Sequence, residues 1–375
     1  MFQKHTYRHN KMNELKSTLA DGPMLGEPLV SVSVITYNHG KYIRQCLDGI
    51  LMQKVNFPYE ILIHDDASPD DTADIIREYE AKYPTVIKPI YQTVNQYSQG
   101  KDVGRFNYDR AVGKYIALCE GDDYWTDPEK LWKQINVLEK NTSYSGTAHS
   151  YKIIDENSDV IHQMDPIAHV QGWYSIDDIR YYRVLGATAS ILFRNYFKTL
   201  NKQQLDDFYN NSGHGDQKLW VLLCLYGNIY YFEEIMSTYR YITTGSTSYQ
   251  SQAKNKNQCE ITYRYLLDQN DFAIKYYNRD LEIYPCALGV MGYAIFRFVQ
   301  KPSTENKQIL QHILLITITR KYLKLYVTHT IKHPIKFMKT LLIIIRERRE
   351  RWRILALTKK TTFPNMRSQI RDIRN

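Results

Sequence analysis

Tyr115-Ile116-Ala117-Leu118-Cys119-Glu120-Gly121-Asp122-Asp123-Tyr124-Trp125 decides the fold class of this chain. A short apolar run that reads as a strand, Lys114 to Leu118, ends in three clustered carboxylates. Carboxylates this close raise one another's pKa unless a cation or hydrogen bonds compensate. Their oxygens suit a hard divalent ion such as Mg²⁺ or Mn²⁺. A second acidic strand end, Ile63-His64-Asp65-Asp66-Ala67-Ser68, lies earlier in the chain. Two such ends, spaced as alternating strands and helices would space them, point to a nucleotide–metal site on an α/β sheet.

Upstream, Leu29-Val30-Ser31-Val32-Ser33-Val34-Ile35-Thr36 is a β-branched run typical of a buried strand, and Asn38-His39-Gly40 turns the chain. Ile43, Cys46, Leu47, Ile50 and Leu51 follow at helical spacing, one apolar stripe that can lie against a sheet. Tyr59 to Ile63 is the second strand. Ser68-Pro69-Asp70-Asp71 starts a helix, with Pro in the first turn and acids at the positive dipole end. Val86 to Tyr91 is a third strand. Downstream, Asp127-Pro128-Glu129 opens a helix carrying Leu131, Ile135 and Leu138. Ala187 to Phe193 reads as a strand, Asp216 to Leu225 as a buried helix and Ile229 to Tyr241 as a closing strand. Residues 142–186 have no clear pattern. Beyond about residue 250 the pattern is helical, and residues 1–27 read as a loosely packed leader.

These pieces resemble glycosyltransferase family 2, the inverting group with an α/β GT-A (Rossmann-like) fold, over about residues 29–245. Ser33 to Asn38 resembles the family's opening strand, which implies that Thr36, Tyr37 and Asn38 line the nucleoside pocket. His64-Asp65-Asp66-Ala67-Ser68 resembles the acidic turn whose second carboxylate contacts the base, usually uracil. Glu120-Gly121-Asp122-Asp123 resembles the DxD-type metal motif, with Glu120 where aspartate is commoner. The resemblance implies Asp123, Asp122 and Glu120 as metal contacts, with Asp122 reaching the ribose as the alternative. His214-Gly215-Asp216-Gln217 resembles the segment carrying the catalytic base, matched by Asp216. Tyr239-Arg240 resembles the pair that closes the catalytic domain; Tyr241 and Ile242 follow where many members place a histidine. Lys101 and Arg105 precede the fourth strand, where some relatives carry a basic residue near the phosphates.

The implied domains are a leader at 1–27, a GT-A catalytic domain at 28–250 and a basic helical region at 251–375. The implied activity is inverting transfer from a nucleotide-diphosphate sugar, UDP-linked, to a lipid-linked saccharide in surface-polysaccharide synthesis, with Mn²⁺ or Mg²⁺ as cofactor. Asp216 would take the acceptor's proton as its hydroxyl attacks. The cation would offset the charge of the departing diphosphate.

Plainer roles compete at several positions. Asp65 or Asp66 would serve as a helix cap, and Asp216 as the N-cap of the helix after it. His39, His64 and His214 do not have the spacing of a metal triad and read as structural. Tyr124 and Trp125 suit either sugar stacking or the core. A nucleotidyltransferase shares acidic metal sites, but Tyr37-Asn38-His39-Gly40-Lys41 makes a poor Gly-rich basic loop. A non-catalytic scaffold of a polysaccharide complex is the other alternative.

Composition sets the surroundings. Five cysteines without a CxxC pair exclude a cysteine metal cluster or a disulfide framework and suit a reducing cytoplasm. The N-terminus has no apolar h-region, and no 18 apolar residues run consecutively. The 32 tyrosines and five tryptophans suggest surfaces for sugar-like ligands. From Lys301 onward 18 Lys and Arg face four Asp and Glu, so the first 300 residues carry −5 of the chain's net +9. The apolar run Ile335 to Ile345 and the cations around Trp352 suit a helix lying on an anionic membrane. The expected place is therefore cytoplasmic, on the inner face of the cell membrane, held by 331–375. No nucleic-acid motif is present.

Overall fold

The computed structural model describes residues 20–21, 26–164, 171–179, 185–212, 215–242, 258–300 and 303–319. The basic stretch 331–375, assigned above to a membrane surface, lies outside the described residues. The chain divides into two compact units, with a break after Thr243.

The first unit is built on a mixed sheet whose parallel heart comes from the four strands read above. β2 (Val30–Thr36) pairs in parallel with β4 (Tyr59–Asp65) and β6 (Tyr115–Glu120), and β4 pairs with β5 (Ile87–Tyr91). β2 is buried on both faces. Val30, Val32 and Val34 are fully covered on one side. On the other, Ser31 donates to Glu60 (2.6 Å) and Ser33 accepts from Asn107 (3.0 Å). The Val–Ser alternation is that of a half-buried strand, and the hydrogen bonds to Glu60 and Asn107 are what allow the serine face to be buried as well.

α1 (Ile43–Leu51) lays the expected stripe of Ile43, Cys46, Leu47 and Ile50 on the sheet, each side chain contributing about 1.5–3 kcal/mol of burial. Gly49 permits its close approach to β7 (Tyr124–Trp125): a Cβ there would stand 2.7 Å from the Trp125 carbonyl oxygen. α2 (Thr72–Lys82) starts where Asp70 accepts the Thr72 N–H at 3.1 Å, so Asp70 and not Asp65 serves the helix start. α4 (Lys130–Lys140), after the short α3 (Arg105–Tyr108), buries Leu131, Ile135 and Leu138 as expected.

Three readings change. Residues 142–186, patternless in sequence, contain β8 (Tyr144–Ile154), β9 (Val160–His162) and β10 (Gly172–Tyr174). β8 runs parallel to β12 (Asn228–Arg240) through register shifts. Its burial follows no alternation, and this hid the strand. Ala187 to Phe193 is only partly a strand: Thr188–Ser190 is a 3-10 turn, and β11 (Leu192–Arg194) pairs with β6 and β8. The leader is not wholly loose, because β1 (Ala20–Asp21) pairs with β3 (Lys54–Val55). Among the described residues the main sheet runs β10-β12-β8-β11-β6-β2-β4-β5, with β7 on β12 and β9 on β8.

The same unit carries α5 (Ile176–Ile179), α6 (Lys202–Asn210) and α7 (Gly215–Tyr226). The second unit holds α8 (Gln258–Tyr277), α9 (Tyr284–Gln300) and α10 (Thr304–Thr319), as the helical pattern beyond residue 250 requires. Among the described residues no helix is long and apolar enough to cross a membrane.

Candidate active site

The carboxyl ends of β2, β4 and β6 meet at one sheet edge. Thr36 lies opposite Asp65 and Ile35 opposite Glu120 in register. Backbone bonds continue past the ladder, from Asp66 N–H to Thr36 O (3.0 Å) and from Gly121 N–H to Ile35 O (2.9 Å). Asn38 (φ 58°) and Ala67 (φ 62°) both turn in the left-handed region, so each acidic or polar strand end leaves the sheet abruptly. Gly121 lets the turns nest: a Cβ on it would come within 2.5 Å of Thr36 Oγ1 and 2.9 Å of His39 Nδ1.

Around this turn the carboxylates are crowded. Burial first, and then the charges of Asp122 and Asp216, push Glu120 up to about 8. Asp123, 1% exposed, is held well above the usual carboxylate range by burial and by Asp122 and Glu120. Its Oδ1 accepts the Arg240 N–H at 2.8 Å, while Oδ2 is buried without a hydrogen bond. Thr36 Oγ1 is likewise buried without a partner. Among the described residues no group of three or more His, Cys, Asp or Glu side chains is placed to hold a metal ion by itself. A diphosphate-bound cation needs only one or two protein carboxylates, because phosphate oxygens and water fill its other positions. The crowded oxygens and the bare Asp123 Oδ2 fit such an ion.

The Asp216 charge reaches Glu120 from the first turn of α7, which begins at Gly215. Asp216 is therefore inside the helix and not its N-cap; its Oδ1 accepts the Gln217 N–H at 2.8 Å. His214 lies outside the described residues. Asp122 stands with His39 at 3.7 Å and is partly exposed.

The other candidates distribute differently. Tyr37 is half-buried and Asn38 exposed in the turn after β2, where the Asn38 N–H donates to Ser68 Oγ. Asp65 accepts from the Ser68 hydroxyl at 2.5 Å, and burial raises its pKa. Asp66 is 2% exposed, and its two oxygens accept the backbone N–H groups of Gln96 (2.7 Å) and Tyr97 (3.0 Å). Its carboxylate thus shapes the 95–97 loop. Lys101 donates to Gln96 Oε1, and Arg105 is bonded to Asp109 (3.1 Å) and 3.8 Å from Asp206. Neither cation makes an ion pair with the Glu120–Asp123 turn. Trp125 is 1% exposed and donates to the Ala189 carbonyl, so it belongs to the core.

The contacts of two cations were invisible in sequence, although the Tyr239-Arg240 pair was singled out there by resemblance. Arg240 is 2% exposed; its guanidinium donates to the carbonyls of Asp122 (3.0 Å) and Asp155 (3.2 Å), Ser158 Oγ (3.0 Å) and Gln45 Oε1 (3.0 Å), over the Tyr42 ring. Lys218, two residues after Asp216, donates to Asp102 Oδ2 at 2.6 Å in a nearly buried pair that ties α7 to the 102 loop. Separations of 82 to 195 residues leave no local pattern from which these contacts could be read.

His64 sits beneath the second acidic turn. It is fully buried, stacked on Phe106 at 4.6 Å with an interplanar angle of 6°, and neither ring nitrogen has a hydrogen bond. Burial pushes it down to about 4. The unfolded chain then binds the proton first, so stability present above pH 6.5 is lost as pH falls toward 4. A His64→Phe variant keeps the stack and should show a flatter loss of stability across that window in urea titrations. Parallel pH profiles for variant and wild type would assign the acid sensitivity elsewhere.

Comparison with known proteins agrees with this architecture. Residues 31–206 match the family model for glycosyl transferase family 2. An uncharacterised protein of Mycobacterium tuberculosis is 36% identical over 218 residues, 56% of this chain and 58% of that protein. The match thus spans little more than half of that relative. TuaG of Bacillus subtilis, provisionally named a teichuronic acid biosynthesis glycosyltransferase, is 28% identical over 61% of this chain and 86% of its own. The crystal structure of S. aureus TarS residues 1–349 with UDP-GlcNAc has a TM-score of 0.58 at 16% identity, covering 86% of this chain and 91% of that one. The likeness to TarS is one of fold, the GT-A arrangement with C-terminal helices.

Proposed function

Residues 31–206 make this chain a member of glycosyltransferase family 2, and from that premise we propose that it transfers a sugar from a UDP-sugar to a hydroxyl of a lipid-linked saccharide, with inversion, in surface-polysaccharide synthesis. The observation that carries the reading is the meeting of Thr36, Asp65, Glu120 and the Gly121–Asp123 turn at one sheet edge, within electrostatic reach of Asp216. The UDP-GlcNAc held by TarS supports a UDP-linked donor, and the name of TuaG supports an acceptor in wall or capsule polymers.

In this reading Tyr37 and the 95–97 loop shaped by Asp66 border the base. Asp122 and Asp123 hold a Mn²⁺ or Mg²⁺ ion, with Glu120 behind them. When bound, that ion supplies positive charge to the diphosphate as it leaves. Asp216 faces the acceptor and removes its hydroxyl proton as the oxygen attacks, in one displacement that inverts the anomeric centre. Arg240 keeps the Asp122–Asp123 backbone in place. The reading keeps the enzyme at the inner face of the membrane through 331–375, on the strength of that stretch's basic, amphipathic composition alone.

Thermal unfolding with UDP, GDP, dTDP or CMP, each with and without Mn²⁺, tests donor and ion together. A ligand that binds only the native state raises the melting temperature. UDP with Mn²⁺ should give the largest rise, and Asp123→Asn should abolish it. A response to none of the four nucleotides would favour a scaffold role.

A further inference from the structure

We propose that His39 is a nitrogen ligand of the divalent cation, paired with Asp122. The inference rests on the donor-site reading above and adds the ligand that the carboxylates lack. His39 follows Thr36 by three residues, in the turn that leaves β2. Its backbone is fixed without help from its ring. The N–H donates to Thr72 Oγ1 at 2.9 Å, and the carbonyl accepts from Tyr42 and Ile43 at 2.8 Å each.

The ring thus takes no part in holding the turn and faces Asp122. Nε2 stands 3.7 Å from Asp122 Oδ2, beyond hydrogen-bond range, with the two side chains 20% and 19% exposed. Nδ1 is buried against Gly121 and has no hydrogen bond. An imidazole and a carboxylate at this ion-pair separation, too long for a hydrogen bond and in the same turn as Asp123, are placed to share an ion. Ligands about 2.0–2.2 Å from one ion stand roughly 3 Å apart at a right angle and roughly 4 Å apart when opposed. The His39–Asp122 separation falls between these limits.

The chemistry of the pair sets which ion it takes. Mg²⁺ holds oxygen ligands and parts reluctantly with water, whereas transition metals accept imidazole nitrogen more readily. His39 therefore makes the site prefer Mn²⁺ to Mg²⁺, a selectivity that carboxylates and phosphate oxygens alone would not impose.

The test is isothermal titration of UDP into the full-length protein at one pH with Mn²⁺, Mg²⁺ or EDTA. It compares wild type, His39→Phe and His39→Asn, each checked for folding by circular dichroism. Wild type should bind UDP about tenfold or more tightly with Mn²⁺ than with Mg²⁺. His39→Phe, which keeps a ring and removes both nitrogens, should lose that preference and leave the EDTA affinity unchanged. His39→Asn, with an oxygen in place of nitrogen, should bind with both ions at nearly equal affinity. Equal losses with and without metal would make His39 a direct phosphate contact and overturn the proposal, as would unchanged affinities in both variants. Wild-type UDP binding that ignores metal would remove the cation ligand but leave the donor site standing. A wild type that binds none of UDP, GDP, dTDP and CMP would remove the donor-site reading, and this inference with it.

Discussion

Replacing Asp216 with asparagine should lower kcat by about 10²–10⁴-fold while nucleotide affinity stays within about twofold of wild type. The asparagine amide keeps the shape of the side chain and can still accept the Gln217 N–H that Asp216 Oδ1 accepts in α7. What it loses is the capacity to take a proton from an acceptor hydroxyl. Its charge also contributes to raising Glu120, so its removal should ease Glu120 downward and strengthen metal-dependent nucleotide binding slightly. Initial rates with a radiolabelled UDP-sugar, alongside calorimetric titration of UDP, separate the two quantities. A variant with full transfer activity would exclude Asp216 as the base. One that transfers nothing and also fails to bind nucleotide would make the residue structural.

Replacing Arg240 with alanine should cost about 3–5 kcal/mol of stability. The guanidinium is 2% exposed and serves acceptors from three segments that are distant in sequence: Gln45 in α1, the Asp122 carbonyl of the metal turn, and the Asp155–Ser158 turn between β8 and β9. Its loss would strand those acceptors in the interior and open a space over the Tyr42 ring. In a domain of this size each kcal/mol is worth roughly 2–4 °C in melting temperature. Arg240→Lys should recover only part of the loss, because an ammonium cannot span the fork that reaches all four groups. Urea titration measures the effect directly; a loss below about 1 kcal/mol would mean that water replaces the guanidinium without strain.

What could be read in the sequence was what local chemistry dictates. Val30–Thr36 announces a strand through its β-branched Val, Ile and Thr, while the burial of its serine face is settled by partners distant in sequence. α1 and α4 show their core-facing stripes at helical spacing. The acidic strand ends were legible because like charges at one turn call for a compensating ion. β8 was not legible, since it is covered irregularly and its partner β12 lies more than 70 residues further on. The tasks of Asp66 and Arg105 were equally hidden, because an isolated carboxylate or guanidinium carries no sign of which amide or acid will approach it.

The sequence by itself determined a parallel α/β sheet with carboxylates at two strand ends, because periodicity and charge crowding act over a few neighbouring residues. Only the tertiary structure decided that Asp216 stands within electrostatic reach of Glu120, that Arg240 binds the Asp122 backbone, and that His39 comes beside Asp122. Those relations join residues brought together by chain crossings, and the free energy of such contacts exists only once the sheet has closed around them.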